Sequence, residues 1–365
     1  MGSTLSHHSH PFLFKADLNV VEGKYPSPHG KNYTGSPLPF AASYLQPENS
    51  IVGGAEGLGR VMDIKRNLPF NGKPKFQMGD VVVLAESGWG SWRSHLWVPS
   101  SSLLRMPQKV MAKAEANDGL NVPQASIISQ VAGTAYRLLK DFAPPQPGEI
   151  VVQNAGTSAV SMCVGELMRI MYPESHLVSF VRRSEDDDNW EQLVNLLTRN
   201  CTTNHTVISE KSVLSALDDK QDWREWRDRN ISGRSVVLGL NSVHGPHTSR
   251  LFFSLLSDNA KLVTYGAMSR QSLPVPAAPL IFKNVSINGY WHSKWMVANR
   301  ASQNNQMCNR QAMLDELCAA VLQQGFSLPP IYSCDLSVAS DGLHTIFDAV
   351  PTSPLRAKLV WNASQ

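Results

Sequence analysis

The sequence predicts an α/β protein built around a doubly wound parallel sheet, with a β-rich part ahead of it. Three observations carry this. Six short apolar runs, at 150–153, 177–181, 205–208, 235–241, 260–265 and 281–287, alternate with helical stretches, as a doubly wound sheet requires. Residues 51–98 instead hold short strand candidates set between glycine-rich turns. The turn-rich stretch Pro144-Pro-Gln-Pro-Gly148 divides the two patterns.

Composition bounds the function. The chain has 365 residues, enough for two domains with their own cores, and its 42% hydrophobic and 17% charged content suits a globular protein. A net charge of +3 gives no argument for nucleic acid or a membrane surface. Cys163, Cys201, Cys308, Cys318 and Cys334 are odd in number and lack CxxC spacing, so reduced thiols are expected rather than a disulfide framework or a zinc ribbon. No Cys/His ligand set calls for a metal. No apolar run approaches the ~20 residues of a membrane span.

The elements follow in chain order. Residues 1–15 read as a disordered polar tail in which His7, His8 and His10 are solvated, although three histidines can also bind a metal. Met1-Gly-Ser-Thr-Leu-Ser6 fits an N-myristoylation pattern that often matches by chance. A secretory signal core is absent, and no arginine precedes Arg60. Residues 16–25 read as a short helical turn and 26–50 as a long loop rich in Pro, Gly, Ser and Asn. The glycine-dense 51–61 stretch leads into a strand without a following helix, so it is not a nucleotide loop. Residues 76–84 and 88–98 each read as a turn and strand, and 127–139 as a helix.

The stretch 148–183 organises the rest. A buried strand at 149–152 is followed by the small residues Asn154-Ala-Gly-Thr-Ser-Ala-Val-Ser161. Val160, Cys163, Val164, Leu167, Met168 and Met171 then mark one apolar helix face, with Pro173 beyond its end. A second strand, 177–181, completes a βαβ unit. Small residues let a dinucleotide's pyrophosphate approach amide groups at the helix N-terminus, though an ordinary βαβ unit reads the same way. Where NAD-binding units carry an acidic residue, this chain has Arg182 and Arg183, with acidic residues only at 185–188. Guanidinium forks suit a phosphate dianion and favour NADPH, the alternative being a solvated basic pair facing the acidic run. Trp223 and Trp226 read as a helix docking face beside a solvated basic side, 307–324 as a helix stopped by Gly325, and Leu359-Val-Trp361 as a last strand.

The chain resembles the zinc-free medium-chain dehydrogenase/reductases, and among them the mitochondrial trans-2-enoyl thioester (enoyl-acyl-carrier-protein) reductases. The matching stretches are Asp17 to Pro26, Gly54-Ala-Glu-Gly57, Gly90-Ser-Trp-Arg93, Thr134-Ala-Tyr-Arg-Leu138, Gln153 to Val160, Thr264-Tyr-Gly-Ala-Met-Ser269, Ile281-Phe-Lys-Asn284, Gly289-Tyr-Trp291 and Lys358. Beyond the tail at 1–15, the resemblance implies a partial GroES-like catalytic domain at 16–140, a Rossmann NADPH-binding domain at 141–290, and a 291–365 segment returning to the catalytic domain.

By the same resemblance Tyr25 is the proton donor, with Asn19 just before it. Thr157, Ser158, Ala159 and Val160 form the pyrophosphate turn, and Arg182, Arg183 and Ser184 hold the 2′-phosphate. Tyr265, Gly266, Ala267 and Met268, and then Tyr290, Trp291, His292 and Ser293, form two loops beside the nicotinamide. Lys358 is a late cofactor contact, and Trp92 and Arg93 line the acyl channel or pack their domain. Tyr25 by itself also reads as a surface turn residue. The implied reaction is NADPH-dependent reduction of enoyl-ACP or enoyl-CoA without a metal, by a mitochondrial homodimer joined through the edge strand near 281–287. A quinone or enone reductase, and an NADPH-binding or scaffold protein without turnover, stay open as alternatives.

Three departures from the family pattern carry expectations. Val131 and Ala132 replace an Asn-Pro whose asparagine contacts the cofactor, so one polar contact is expected to be lost. Ser161 replaces a usual glycine and is expected to crowd helix against strand. Asp17 matches a position well inside the catalytic domain, so that domain is expected to be shortened at its front.

Overall fold

A computed structural model describes residues 54, 56–65, 75–87, 89–91, 95–199, 204–267, 269, 271–299 and 309–331, together with the backbone of three further strands, 2–13, 332–335 and 359–362. The chain forms two units, one of Met1–Gly133, His292–Pro351 and Ala357–Gln365, the other of Thr134–Trp291 and Thr352–Arg356.

The first unit opens with β1 (Gly2–Leu13), β2 (Gly57–Lys65), β3 (Val81–Leu84), β4 (Leu96–Pro99) and β5 (Leu103–Arg105), then α1 (Gln108–Glu115) and α2 (Val122–Ser126). The second contains α3 (Gly133–Asp141), β6 (Ile150–Gln153), α4 (Ala159–Met171), β7 (His176–Val181), α5 (Trp190–Thr198), β8 (His205–Ser209), α6 (Glu210–Ala216), α7 (Lys220–Asn230), β9 (Val236–Asn241), α8 (Pro246–Leu255), β10 (Lys261–Thr264), α9 (Ala277–Phe282) and β11 (Ser286–Gly289). The chain then returns through α10 (His292–Ala298), α11 (Asn309–Gln323), β12 (Tyr332–Asp335) and β13 (Leu359–Asn362).

In the first unit the strand order is β12-β13-β1-β2-β3-β5, with β4 also paired to β1. Val61, Phe76, Val82, Leu84, Leu96, Val98 and Leu103 form its buried cluster. Residues 2–13, expected as a disordered tail, form β1, antiparallel to β2, β4 and β13. Sheet pairing is made by backbone amides and carbonyls, so a polar, histidine-rich segment can satisfy the open edges of β2 and β4 without an apolar pattern. The expected helix at 127–139 starts as a π turn, Ile128–Ala132, before α3. Gly133 follows that turn where a Cβ would meet Met313 and His292 at 2.9–3.0 Å, so a side chain there would clash.

The second unit is a fully parallel sheet in the order β11-β10-β9-β6-β7-β8. All four residues of β6 and all six of β7 are buried, as expected for parallel strands covered on both faces. Cys163, Val164, Leu167 and Met168 turn the apolar face of α4 inward. Trp226 of α7 is buried in the core and stacks on Trp223, ring centroids 5.3 Å apart. The expected strand at 281–287 is displaced. Residues 277–282 form α9, where Pro279 sits in the first turn and costs no hydrogen bond. Asn284 has φ +52°, a left-handed conformation that interrupts any extended run, and pairing with β10 starts only at Ser286.

Candidate functional site

In this strand order β6 leads toward β7 on one side and β9 leads toward β10 on the other. The carboxyl ends of β6 and β9 therefore flank the topological switch point, where open α/β sheets bind their ligands.

The turn after β6 is built to lie flat on β7. The Gly156 N–H donates to the Phe180 carbonyl at 2.9 Å, and a Cβ on Gly156 would lie 3.0 Å from Val181, 3.1 Å from Ser179 and 3.3 Å from that carbonyl. Only glycine fits there without pushing the turn away. Ser158 is extended and caps α4, its Oγ accepting the Ser161 N–H at 3.2 Å. Thr157 and Val160 are half-buried and Ala159 is buried. The first-turn amides of α4 thus lie where a helix N-terminus could receive an anion. The crowding expected at Ser161 does not arise. Its hydroxyl donates to the Asn154 carbonyl at 3.3 Å and accepts from Ser158 Oγ at 2.9 Å.

Asn154 bridges the switch point. Its Nδ2 donates to Asn241 Oδ1 at 2.8 Å and to the Val243 carbonyl at 2.9 Å, while its Oδ1 accepts the Ser242 N–H at 2.8 Å. Asn154 and Asn241 are fully buried. Sequence reading passed over both, and over Ser242 and His244. The available signal was an Asn closing each run, Asn241 directly after Leu240 and Asn154 after Gln153.

The loop after β10 packs on this bridge. The Tyr265 N–H donates to the Asn241 carbonyl at 3.0 Å, and its hydroxyl lies 3.4 Å from Ser161 Oγ. Burial pushes the Tyr265 phenol pKa up, so it stays protonated. A Cβ on Gly266 would sit 3.0 Å from the Ser242 carbonyl, and Ala267 is exposed. The His244 ring donates Nε2–H to the Gly266 carbonyl.

Arg182, Arg183 and Ser184 follow the end of β7. Arg182 is exposed. Arg183 Nη1 is 3.2 Å from Asp187 Oδ1, so part of the acidic run neutralises it. The Asn189 N–H, and then the Arg183 guanidinium, hold Asp187 below the usual carboxylate range. Glu210 at the start of α6 is pushed up by burial, against the pull of Arg182. Ser184 Oγ donates to Asp186.

The four residues expected as a second nicotinamide loop divide between the units. Tyr290 and Trp291 belong to the parallel-sheet unit. The Tyr290 ring meets Phe142 edge to face at 5.9 Å, and burial together with Asp141 raises its phenol pKa. His292 and Ser293 belong to the first unit, where His292 Nε2 donates to the Ser129 carbonyl at 3.1 Å and Ser293 Oγ accepts from Ser87 at 2.6 Å. Val131 is buried in the π turn, and the neighbouring Gln130 N–H donates to Glu56 Oε1 at 2.7 Å. Tyr25, Asn19, Trp92, Arg93, Met268 and Lys358 lie outside the described residues. Among the described residues no group of three His, Cys, Asp or Glu could hold a metal, and no helix is long and apolar enough to cross a membrane.

No family model matches the chain. It is 31% identical over 280 residues to the mitochondrial enoyl-[acyl-carrier-protein] reductase of Caenorhabditis elegans, covering 77% of this chain and 66% of that one. It is 28% identical over 315 residues to the Xenopus tropicalis enzyme of the same name, covering 86% and 75%. The chain thus spans about two thirds to three quarters of the length of these relatives. It shares its fold with the solved Etr1p/NADP/crotonyl-CoA complex, at a TM-score of 0.72 and 21% identity over 99% of this chain and 90% of that one. On this similarity the chain belongs to the enoyl-[acyl-carrier-protein] reductase family.

Proposed function

We propose that this protein reduces trans-2-enoyl thioesters, carried on acyl carrier protein or coenzyme A, with NADPH. The observation that carries this reading is the turn 154–158, held flat on β7 by Gly156 at the switch point, with an arginine pair just beyond β7. The names of the relatives supply the substrate class, and the mitochondrion as its compartment.

The residues fit the cofactor. The close seat of Gly156 and the Ser158-capped start of α4 give a pyrophosphate its backbone donors. Arg182 and Arg183 give a 2′-phosphate its guanidinium partners, Arg183 exchanging Asp187 for the phosphate. Tyr265 and Gly266 form the wall beside β9. NADPH, when bound, supplies the hydride for the β-carbon of the enoyl group. The chain's own part is to hold the substrate against that face, exclude water and stabilise the charge developing on the thioester oxygen. Tyr25 delivers the proton to the α-carbon, a role for which a phenol pKa of about 10 keeps it protonated at neutral pH. Asn19, Trp92 and Arg93 are the substrate-side residues of this reading.

A second copy completes the assembly. Among the described residues β11 ends the parallel sheet with one edge unpaired, and Ile281, Phe282 and Trp291, close to it in sequence, are exposed. An open edge flanked by apolar side chains is a pairing surface.

The test follows NADPH absorbance with hexenoyl-CoA, with a quinone and with neither. Thioester-dependent oxidation that collapses in Tyr25→Phe is the expected result. Oxidation with the quinone alone would make the protein a quinone reductase of the same fold. Cofactor binding with no turnover would make it a non-catalytic binder.

A further inference from the structure

Two glycines and one histidine join the loops that follow β9 and β10. Gly266 lies so close to the first loop that a Cβ would stand 3.0 Å from the Ser242 carbonyl and 3.3 Å from its Cα. Gly245 has φ +150°, a backbone state that side chains rarely adopt, and a Cβ there would run into the Gln271 amide. Between them the half-buried His244 ring donates Nε2–H to the Gly266 carbonyl. A carbonyl can only accept, so this bond fixes the imidazole with its proton on Nε2. Burial also pulls the His244 pKa below its ordinary value, which keeps the ring neutral near pH 7. The same two loops are tied again by the Tyr265 N–H, which donates to the Asn241 carbonyl at 3.0 Å. His244 is therefore a side-chain stitch across a junction whose backbones already touch.

We propose that His244 is a positioning residue for the dinucleotide. Through the Gly266 carbonyl it holds the 265–267 loop in place at the carboxyl end of β10, on the side of the switch point away from Arg182 and Arg183. This rests on the NADPH reading of the site. It predicts a division between the two halves of the cofactor. The adenosine end, served by the end of β7, is insensitive to His244, and the nicotinamide end, served by the loop after β10, depends on it.

The experiment uses the full chain with His244→Ala, His244→Gln and His244→Asn. Hydrogen exchange is measured on the apo protein, and calorimetry measures the affinity for NADPH and for adenosine 2′,5′-bisphosphate, which carries the adenosine half alone. The Ala variant is expected to exchange faster across residues 264–271, with exchange in β6 and β7 unchanged. It is expected to bind NADPH about 5-fold more weakly, the scale of one neutral hydrogen bond, and to bind the bisphosphate like the parent. Gln, whose amide nitrogen reaches the Nε2 position, restores both properties. Asn, whose amide reaches only the Nδ1 position, does not. Unchanged exchange in the Ala variant, equal behaviour of Gln and Asn, or equal weakening of both nucleotides would overturn the proposal. If the parent protein fails to bind NADPH, the cofactor reading falls, while the apo exchange result still decides whether His244 holds the loop.

Discussion

Arg310 is 1% exposed, and its guanidinium is held by hydrogen bonds on both terminal nitrogens. Nη1 donates to Glu86 Oε1 at 2.8 Å and to the Met296 carbonyl at 3.0 Å, and Nη2 to the Ser101 carbonyl at 2.6 Å. Glu86, itself fully buried, also accepts from Ser102. Removing one member leaves the other charged and dry, so Arg310→Met should destabilise the protein by about 3–5 kcal/mol. Urea unfolding reads this as a lower midpoint, and an unchanged midpoint would sink the argument. A second residue sets an acid limit. Burial, and then the neighbouring His176, lower the His205 pKa from 6.5 to about 4. A folded pKa below the unfolded one means that the unfolded chain binds the proton first. The His205 contribution is therefore complete above pH 6.5, falls as the pH drops, and is gone by about pH 4. The slope across this window is about 1.4 kcal/mol per pH unit. Stability curves of the parent and of His205→Gln should converge on acidification, and parallel curves would refute the assignment. Neither feature was legible in the sequence. Arg310 and Glu86 are 224 positions apart, and only the tertiary fold of the first unit makes them a pair.

α4 shows how far local sequence reaches. Its apolar stripe and its end before Pro173 are encoded within a few residues and were readable in advance, whereas the Ser158 cap came from the structure. Ser158→Ala removes the acceptor for the Ser161 N–H and should cost about 1 kcal/mol. Thermal unfolding monitors the loss, and weaker NADPH binding should accompany it if the turn serves the cofactor. The strand expected at 281–287 failed for an equally local reason. A run of Leu, Ile and Phe has no periodicity long enough to tell strand from helix, and the left-handed Asn284 decided it. The π turn at 128–132 failed for a non-local one. Gly133 beside it must pass under the His292 ring, 159 positions later in the chain.

For the whole molecule, the exposed edge is the feature with consequences. Ile281 and Phe282 are 70% and 80% exposed just before β11, whose outer edge is unpaired among the described residues. If a second copy covers them, Phe282→Asp should shift the protein to monomer in light scattering at micromolar concentration, leaving its far-ultraviolet spectrum intact. A parent protein that is already monomeric would exclude this edge as the interface. The sequence by itself determined the alternating strands and helices, the small-residue turn, the apolar helix face and the arginine pair after β7, because each is written within a single turn, helix or strand. The tertiary structure alone decided the rest. It recruited the polar β1 into a sheet, set Asn154 against Asn241 across 87 positions, and brought His244 onto Gly266. Those contacts depend on strand order, and strand order is fixed by how whole elements bury their faces, which no local pattern records.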